Sequence, residues 1–362
     1  MSEPMSTDSI LLQPVSLGRL QLRNRIIMAP MTRSRAGDGD LVGPMQVTYY
    51  RQRASAGLII SEGVHPSPNG KGYCRTPGIF NAAQMEAWRS VTDAVHAEGG
   101  LMVCQIMHCG RVGHPDNKDS GTEMVAPSAI AAGEQIYTDQ GMQDMPVPRA
   151  LATDEIARVI DEYRQATVNA YAAGFDGVEL HCTSGYLPAQ FLSTGSNRRD
   201  DRYGGSLENR LRFVIEVLQA MASVGGADRV GIRICPGNPF NGLQDDNPAE
   251  TFQALLERLS PMGLAYLHVI RMDAGVDNIS LAKTFFQGPL ILNDSYRPAE
   301  AAAAIASGDA AAVSFGRAFI ANPDYVERVR SGASLNKIDM KTLYLPGAEG
   351  YTDYPSLNNG SR

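Results

Sequence analysis

His181, Ser184 and Tyr186 fall within six residues of one another, inside the segment Asp176-Gly-Val-Glu-Leu-His-Cys-Thr-Ser-Gly-Tyr-Leu-Pro-Ala-Gln-Phe-Leu192. An imidazole and a hydroxyl can each donate a hydrogen bond to an oxygen that is gaining negative charge. A phenol, with an ordinary pKa of about 10, is protonated at neutral pH and can act as an acid. The apolar run before them reads as a buried strand, so the cluster belongs to a strand end, where barrel enzymes carry their chemistry.

Other strand ends supply polar groups one by one: Pro30 to Thr32, Glu62-Gly63, Gln105 with His108, and Arg233. A ring of Thr, Gln, His and Arg around an apolar mouth suits a planar heteroaromatic ligand with alternating donors and acceptors along one edge. Taken singly, Gln105 can equally pair with a backbone amide and Arg233 with a buried acid. Two late loops, Leu292-Asn-Asp-Ser295 and Ser314-Phe-Gly-Arg-Ala318, lie where such barrels bind phosphate. Gly316 permits close approach of backbone N–H groups and Arg317 can grip an oxyanion with two bonds, or else pair with a neighbouring loop. Asp294 would repel a phosphate unless it turns outward.

The elements that must position these groups are legible as short apolar runs at 25–31, 57–61, 101–107, 177–180, 230–235, 265–270, 289–292 and 311–315. Their nearly continuous Ile/Val/Leu character is that of strands buried on both faces, as in parallel sheets. Segments with helical spacing alternate with them, at 45–55, 82–98, 154–173, 206–223, 249–262, 278–286, 298–307 and 323–331. Eight strand-then-helix units predict an α/β fold, a closed (β/α)8 TIM barrel rather than an open doubly wound sheet, in one domain over 1–362. Residues 15–22 precede the repeat and are expected to form a hairpin that plugs the barrel bottom. Residues 112–149, rich in Gly, Pro and Asp, are too long for a plain connection and are expected to form a lid after the third strand.

The 362 residues carry a net charge of −7, which gives no reason to expect nucleic acid or an anionic membrane as partner. No apolar run reaches the roughly 20 residues of a membrane helix, and the start is polar and acidic, so a cytoplasmic location is expected. Five cysteines without a C-x-x-C pair fit neither a disulfide framework nor a zinc site; buried thiols are expected and no metal.

Long strings carry a family resemblance: Asn24-Arg-Ile-Ile-Met-Ala-Pro-Met-Thr-Arg33, Tyr49-Tyr-Arg-Gln-Arg-Ala-Ser-Ala-Gly-Leu-Ile-Ile-Ser-Glu62, Val125-Ala-Pro-Ser-Ala129, the His181 segment with the Asn197-Arg-Arg-Asp-Asp-Arg-Tyr-Gly-Gly-Ser-Leu-Glu-Asn-Arg210 stretch after it, Phe315-Gly-Arg317, Ile320-Ala-Asn-Pro-Asp324 and Gly347-Ala-Glu-Gly-Tyr-Thr-Asp-Tyr-Pro355. Nearly end to end, the chain resembles the old yellow enzyme family of FMN-dependent ene-reductases, particularly its pentaerythritol tetranitrate reductase and xenobiotic reductase branch.

That resemblance implies FMN as cofactor and NAD(P)H as reductant, with hydride passed from flavin N5 to the β-carbon of an alkene conjugated to a carbonyl or nitro group, and possible extension to nitrate esters or nitroaromatics. It implies flavin contacts from Pro30, Met31, Thr32 and Gly63, the pyrimidine edge at Gln105, charge neutralisation by Arg233, and phosphate binding by Asn293, Asp294, Gly316 and Arg317. His181 then binds the substrate oxygen against the flavin and Tyr186 protonates the α-carbon. Thr32, Tyr73, Met107 and Tyr351 complete the implied substrate pocket.

The chain departs from the family at Ser184, where His or Asn is usual; a hydroxyl is shorter and can reach the substrate oxygen through water. Met107 stands where a relative carries Trp, which enlarges the pocket. Cys182 should be turned away by strand alternation, and His65, His96, His114 and His268, which match no partner pattern, are expected to be structural or exposed. Two other functions compete with ene-reduction: a biosynthetic flavin-dependent isomerase or desaturase, and a weakly catalytic flavin-binding redox sensor. Neither nicotinamide preference nor oligomeric state, monomer or homodimer, is legible.

Overall fold

The structure, a computed structural model, describes residues 9–357; the polar start at 1–8 lies outside them. Eight parallel strands close on themselves: β1 (Ile26–Met28), β2 (Leu58–Ile60), β3 (Met102–Ile106), β4 (Gly177–Cys182), β5 (Val230–Ile234), β6 (Tyr266–Ile270), β7 (Leu290–Asn293) and β8 (Ala312–Phe315), with β8 pairing back to β1. The expected (β/α)8 barrel is present. The first strand is shorter than the apolar run predicts, because Pro30 cannot donate to the ladder, and the fourth is longer, running through His181 to Cys182.

Helices α1 (Pro44–Gln52), α2 (Ala82–Ala97), α3 (Thr153–Ala172), α4 (Leu207–Gly225), α5 (Pro248–Leu259), α6 (Asn278–Phe285), α7 (Pro298–Ala306) and α8 (Tyr325–Ser331) follow the strands. Several begin where a side chain can accept an orphan N–H: Asn81 from Gln84, Ser206 from Asn209, Asn247 from Glu250 and Asp277 from Ser280. Helix α3 buries Ile156, Val159, Tyr163, Ala166 and Ala170, the stripe its period predicts. Two short helices, Leu187–Leu192 after β4 and Arg317–Ala321 after β8, have no counterpart in the sequence reading; both are too short to show a period.

Strand alternation divides the core in two. Val178, Leu180 and Cys182 of β4 face the helices in one large apolar cluster with Tyr163 and Phe213. On the inside, Ile27, Leu58, Ile60, Val103, Tyr266 and Ile291 fill the lower barrel together with Leu17, Leu20 and Leu22. Those leucines come from an antiparallel hairpin, Val15–Leu17 with Leu20–Leu22, which plugs the bottom as expected. The upper interior is polar, and it supports the site.

The long segment between β3 and α3 carries a second hairpin, Gln135–Thr138 with Gly141–Asp144, and its ends are tied by Val125–Ala126 pairing with Arg149–Ala150. All five cysteines are free and buried. Among the described residues no helix is long and apolar enough to cross a membrane, and no group of His, Cys, Asp and Glu could hold a metal ion.

Candidate active site

Two cavities open at the C-terminal ends of the strands. The first, about 530 Å³, runs from the mouth of β1 to the loops after β7 and β8; Pro30, Met31, Thr32, Arg233, Asn293, Asp294, Gly316 and Arg317 all lie on its wall. The second, about 500 Å³, is walled by Thr32, Tyr73 and Tyr186 on the barrel side and by Ile136, Tyr137, Met142 and Met145 of the β3–α3 segment on the other. Thr32 and Tyr344 face both, so the cavities adjoin at these residues.

His181 and Tyr186 owe their juxtaposition to a tight turn. His181 is the last inward-facing residue of β4, because the period-2 alternation that sends Leu180 and Cys182 outward sends Glu179 and His181 in. The chain then reverses through Ser184 and Gly185, at φ 56° and 78°, before the short helix that starts at Leu187. Asn241 Nδ2 donates to Ser184 O at 2.7 Å and Gln190 Nε2 to Gly185 O at 2.7 Å, which pins this left-handed turn. A Cβ on Gly185 would stand 2.7 Å from Phe240 O, so only glycine fits.

The turn brings the Tyr186 ring edge-on to His181, with centroids 4.7 Å apart. Tyr73 OH lies 3.1 Å from Tyr186 OH. Burial, reinforced by Tyr73, holds the Tyr186 pKa well above the ordinary phenol value, so this phenol is always protonated in the working range. Burial, with the Arg233 charge, holds His181 well below the ordinary imidazole value; its ring is neutral, and its buried Nδ1 has no partner.

Beneath these residues Glu179, Gln105, His268, Ser314, Asn293 and Arg233 fill the upper barrel. Sequence reasoning passed over Glu179 and Ser314 and assigned His268 no partner. His268 is fully buried, its Nδ1 2.9 Å from Glu179 Oε2 and its Nε2 2.8 Å from Ser314 Oγ. The signal was available: Glu179 and His181 share one face of β4, and an acid on a buried face needs a partner.

Four implied contacts sit differently from expectation. Tyr351 is on neither cavity wall; it is fully buried, stacked on Tyr49 at 4.1 Å with Arg35 4.6 Å over its other side. The aromatic that reaches both cavities from the C-terminal segment is Tyr344, more than half exposed and unremarked in the sequence. Met107 is buried behind the second cavity in a cluster with Cys109, Ile136 and Tyr186, and a Cβ on Gly63 would stand 2.5 Å from its sulfur. Ser184 is half-buried and lines neither cavity, and its hydroxyl makes no hydrogen bond among the described residues. Gln105 lies below the cavities, donating from Nε2 to Glu179 Oε1 at 2.7 Å.

The first cavity fits a phosphorylated flavin. Arg317 is exposed at its rim and makes no ion pair among the described residues, beside the backbone N–H groups that open the Arg317–Ala321 helix. At the other end Arg233 Nε is buried without a partner, a donor that a pyrimidine oxygen could satisfy. Asp294 and Ser295 both hold left-handed φ, 80° and 56°, and shape the loop between these ends.

A closed parallel barrel with a phosphate-suited loop pair after its last strands, a buried arginine with one free N–H within and a His/Tyr pair above defines a flavin-dependent oxidoreductase. The chain belongs to the NADH:flavin oxidoreductase / NADH oxidase family, the old yellow enzymes, whose profile matches residues 10–336. It is 42% identical over 99% of its length to a probable flavin mononucleotide-dependent alkene reductase of Leishmania infantum, all of which is covered. It is 42% identical to the 12-oxophytodienoate reductase 7 of Oryza sativa subsp. japonica, covering 96% of this chain and 94% of that protein. The solved structure of morphinone reductase superposes with a TM-score of 0.92 at 45% identity over 99% of both chains.

Proposed function

We propose that this chain reduces activated C=C bonds, α,β-unsaturated carbonyls and nitroalkenes, with FMN held in the first cavity, NAD(P)H as reductant and the alkene bound in the second. Tyr186 on the wall of the second cavity, with the His181 ring packed edge-on behind it, carries this reading: a flavin store or sensor needs neither a neutral imidazole donor nor a buried phenol beside the cofactor. The bound flavin supplies the hydride. His181 donates a hydrogen bond to the carbonyl or nitro oxygen as charge develops there, and it does so as a neutral ring that the low-dielectric site keeps from protonating. Tyr186 supplies the proton to the α-carbon. Tyr73, 3.1 Å away, can hold the Tyr186 hydroxyl in place and stabilise the phenolate left behind.

The hairpin at Gln135–Thr138 and Gly141–Asp144 acts as the lid of the second cavity, placing Ile136 and Met142 against the substrate and limiting water. Thr32 and Tyr344 border flavin and substrate alike. Ser184 assists His181 through a bridging water. The substrates are small molecules, and the free buried thiols agree with a cytoplasmic setting.

Anaerobic stopped-flow spectroscopy tests the assignment. NADPH or NADH bleaches the flavin absorbance, and 2-cyclohexenone restores it. Bleaching that no enone, nitroalkene or nitrate ester reverses would sink the reductase reading. Tyr186→Phe is expected to slow reoxidation by 2-cyclohexenone at saturating concentration roughly 10²–10⁴-fold and to leave bleaching unchanged.

A further inference from the structure

We propose that Glu179, which touches neither cavity, is a positioning residue that sets the hydrogen-bond polarity of the whole floor beneath the flavin site. The inference rests on the flavin occupying the first cavity. It starts from one chemical fact: an ionised carboxylate only accepts hydrogen bonds, so every group touching it must present a donor.

Two groups do. Gln105 reaches Glu179 Oε1 at 2.7 Å and must offer its amide NH₂, which leaves its carbonyl oxygen as the free end, an acceptor for the N–H of a pyrimidine edge. His268 Nδ1 lies 2.9 Å from Glu179 Oε2 and must carry the ring proton. Burial keeps that ring neutral, so Nε2 is an acceptor and the Ser314 hydroxyl, 2.8 Å away, must donate to it. With its proton spent, Ser314 Oγ accepts from Asn293 Nδ2 at 2.8 Å. The Asn293 amide is thereby oriented with Oδ1 toward Arg233 Nη2, which it holds at 2.6 Å.

One carboxylate thus dictates a directed chain, Gln105 on one side and His268, Ser314, Asn293 and Arg233 on the other, across six strands. All six side chains are nearly or fully buried, so no water competes to reorient them. Arg233 ends the chain on the wall of the first cavity with Nε unpartnered. A bare apolar barrel would leave the Gln105 and Asn293 amides free to flip. The acid is also the buried counter-charge to Arg233, and the guanidinium and His268 together hold its pKa below the ordinary carboxyl value despite complete burial.

Glu179→Gln tests this, because an amide can no longer accept from both neighbours at once. In the reconstituted holoenzyme, FMN affinity, measured by recovery of free flavin fluorescence on dissociation, is expected to fall at least tenfold. The flavin midpoint potential is expected to move positive, since the anion opposing Arg233 is gone. In ¹⁵N NMR spectra of the holoenzyme, the His268 signals should change from a single Nδ1–H tautomer to a mixture. A variant that is merely less stable, with wild-type potential and tautomer, overturns the proposal. If Glu179→Gln does not fold, Ser314→Ala cuts the chain between His268 and Asn293: FMN affinity falls at least threefold with the His268 tautomer intact, and unchanged affinity overturns the proposal. Wild-type protein that binds no FMN would instead overturn the assignment of the cavity.

Discussion

At the scale of single residues, Ser184 is where this chain differs most tellingly from its family. It sits at φ 56°, a left-handed conformation that costs serine more than asparagine, and its hydroxyl has no partner among the described residues. Ser184→Asn is therefore expected to be at least neutral for stability. The longer amide adds a donor beside His181, and turnover of 2-cyclohexenone should rise about tenfold, equivalent to about 1.4 kcal/mol in the barrier. Steady-state kinetics together with phenol binding over the flavin checks this; a rate that does not rise shows that the turn aims position 184 away from the substrate. The residues were legible in uneven measure. His181, Tyr186, Arg233 and the Gly316-Arg317 pair could be found because each stands at a strand end, where backbone position alone brings groups together. Tyr351 and Tyr344 could not be told apart, since which of two nearby aromatics is buried depends on arginines some 300 residues earlier in the chain.

At the scale of elements, the strands were readable as continuous apolar runs because both of their faces are covered. What that reading hid is the polarity of the inner face: a run such as Gly177–Cys182 looks uniformly buried, and only its alternation separates Glu179 and His181 from their apolar neighbours. The N-terminal hairpin was readable for the opposite reason, its Leu17, Leu20 and Leu22 having no helix to pack on. Its fit to the barrel is close. Gly18 turns it at φ 57°, a Cβ there would stand 2.2 Å from Asp228 O, and the next amide, Arg19 N, donates to the same oxygen at 2.9 Å. Gly18→Ala should therefore lift the plug, at a cost of about 1–3 kcal/mol. A thermal melt should show the midpoint falling by several degrees while the FMN spectrum stays unchanged; an unaltered midpoint would mean that the hairpin is loosely seated.

At the scale of the whole molecule, the site is closed by the end of the chain strapped back onto its beginning. Arg33 donates to Leu343 O and Gly350 O at 3.2 and 2.7 Å, and Arg35 to Thr342 O, Gly347 O and Glu349 O within 2.9 Å, while Tyr351 stacks on Tyr49. These anchors hold Met340, Leu343 and Tyr344 at the cavities. Glu62 lies fully buried under this cluster, accepting only long bonds of 3.4 Å from Arg33 N and Tyr50 OH, and burial pushes its pKa up to about 7. The folded chain therefore keeps a proton on Glu62 that the unfolded chain releases near 4.5. Stability from this group is complete below that value and is lost as pH rises through about 7, by on the order of 3 kcal/mol in all. Glu62→Gln is neutral at every pH and should remove that slope. Between pH 5 and pH 8 the melting temperature of the wild type should fall more than that of the variant, and parallel profiles would show that the arginines already carry Glu62 as an anion across the range.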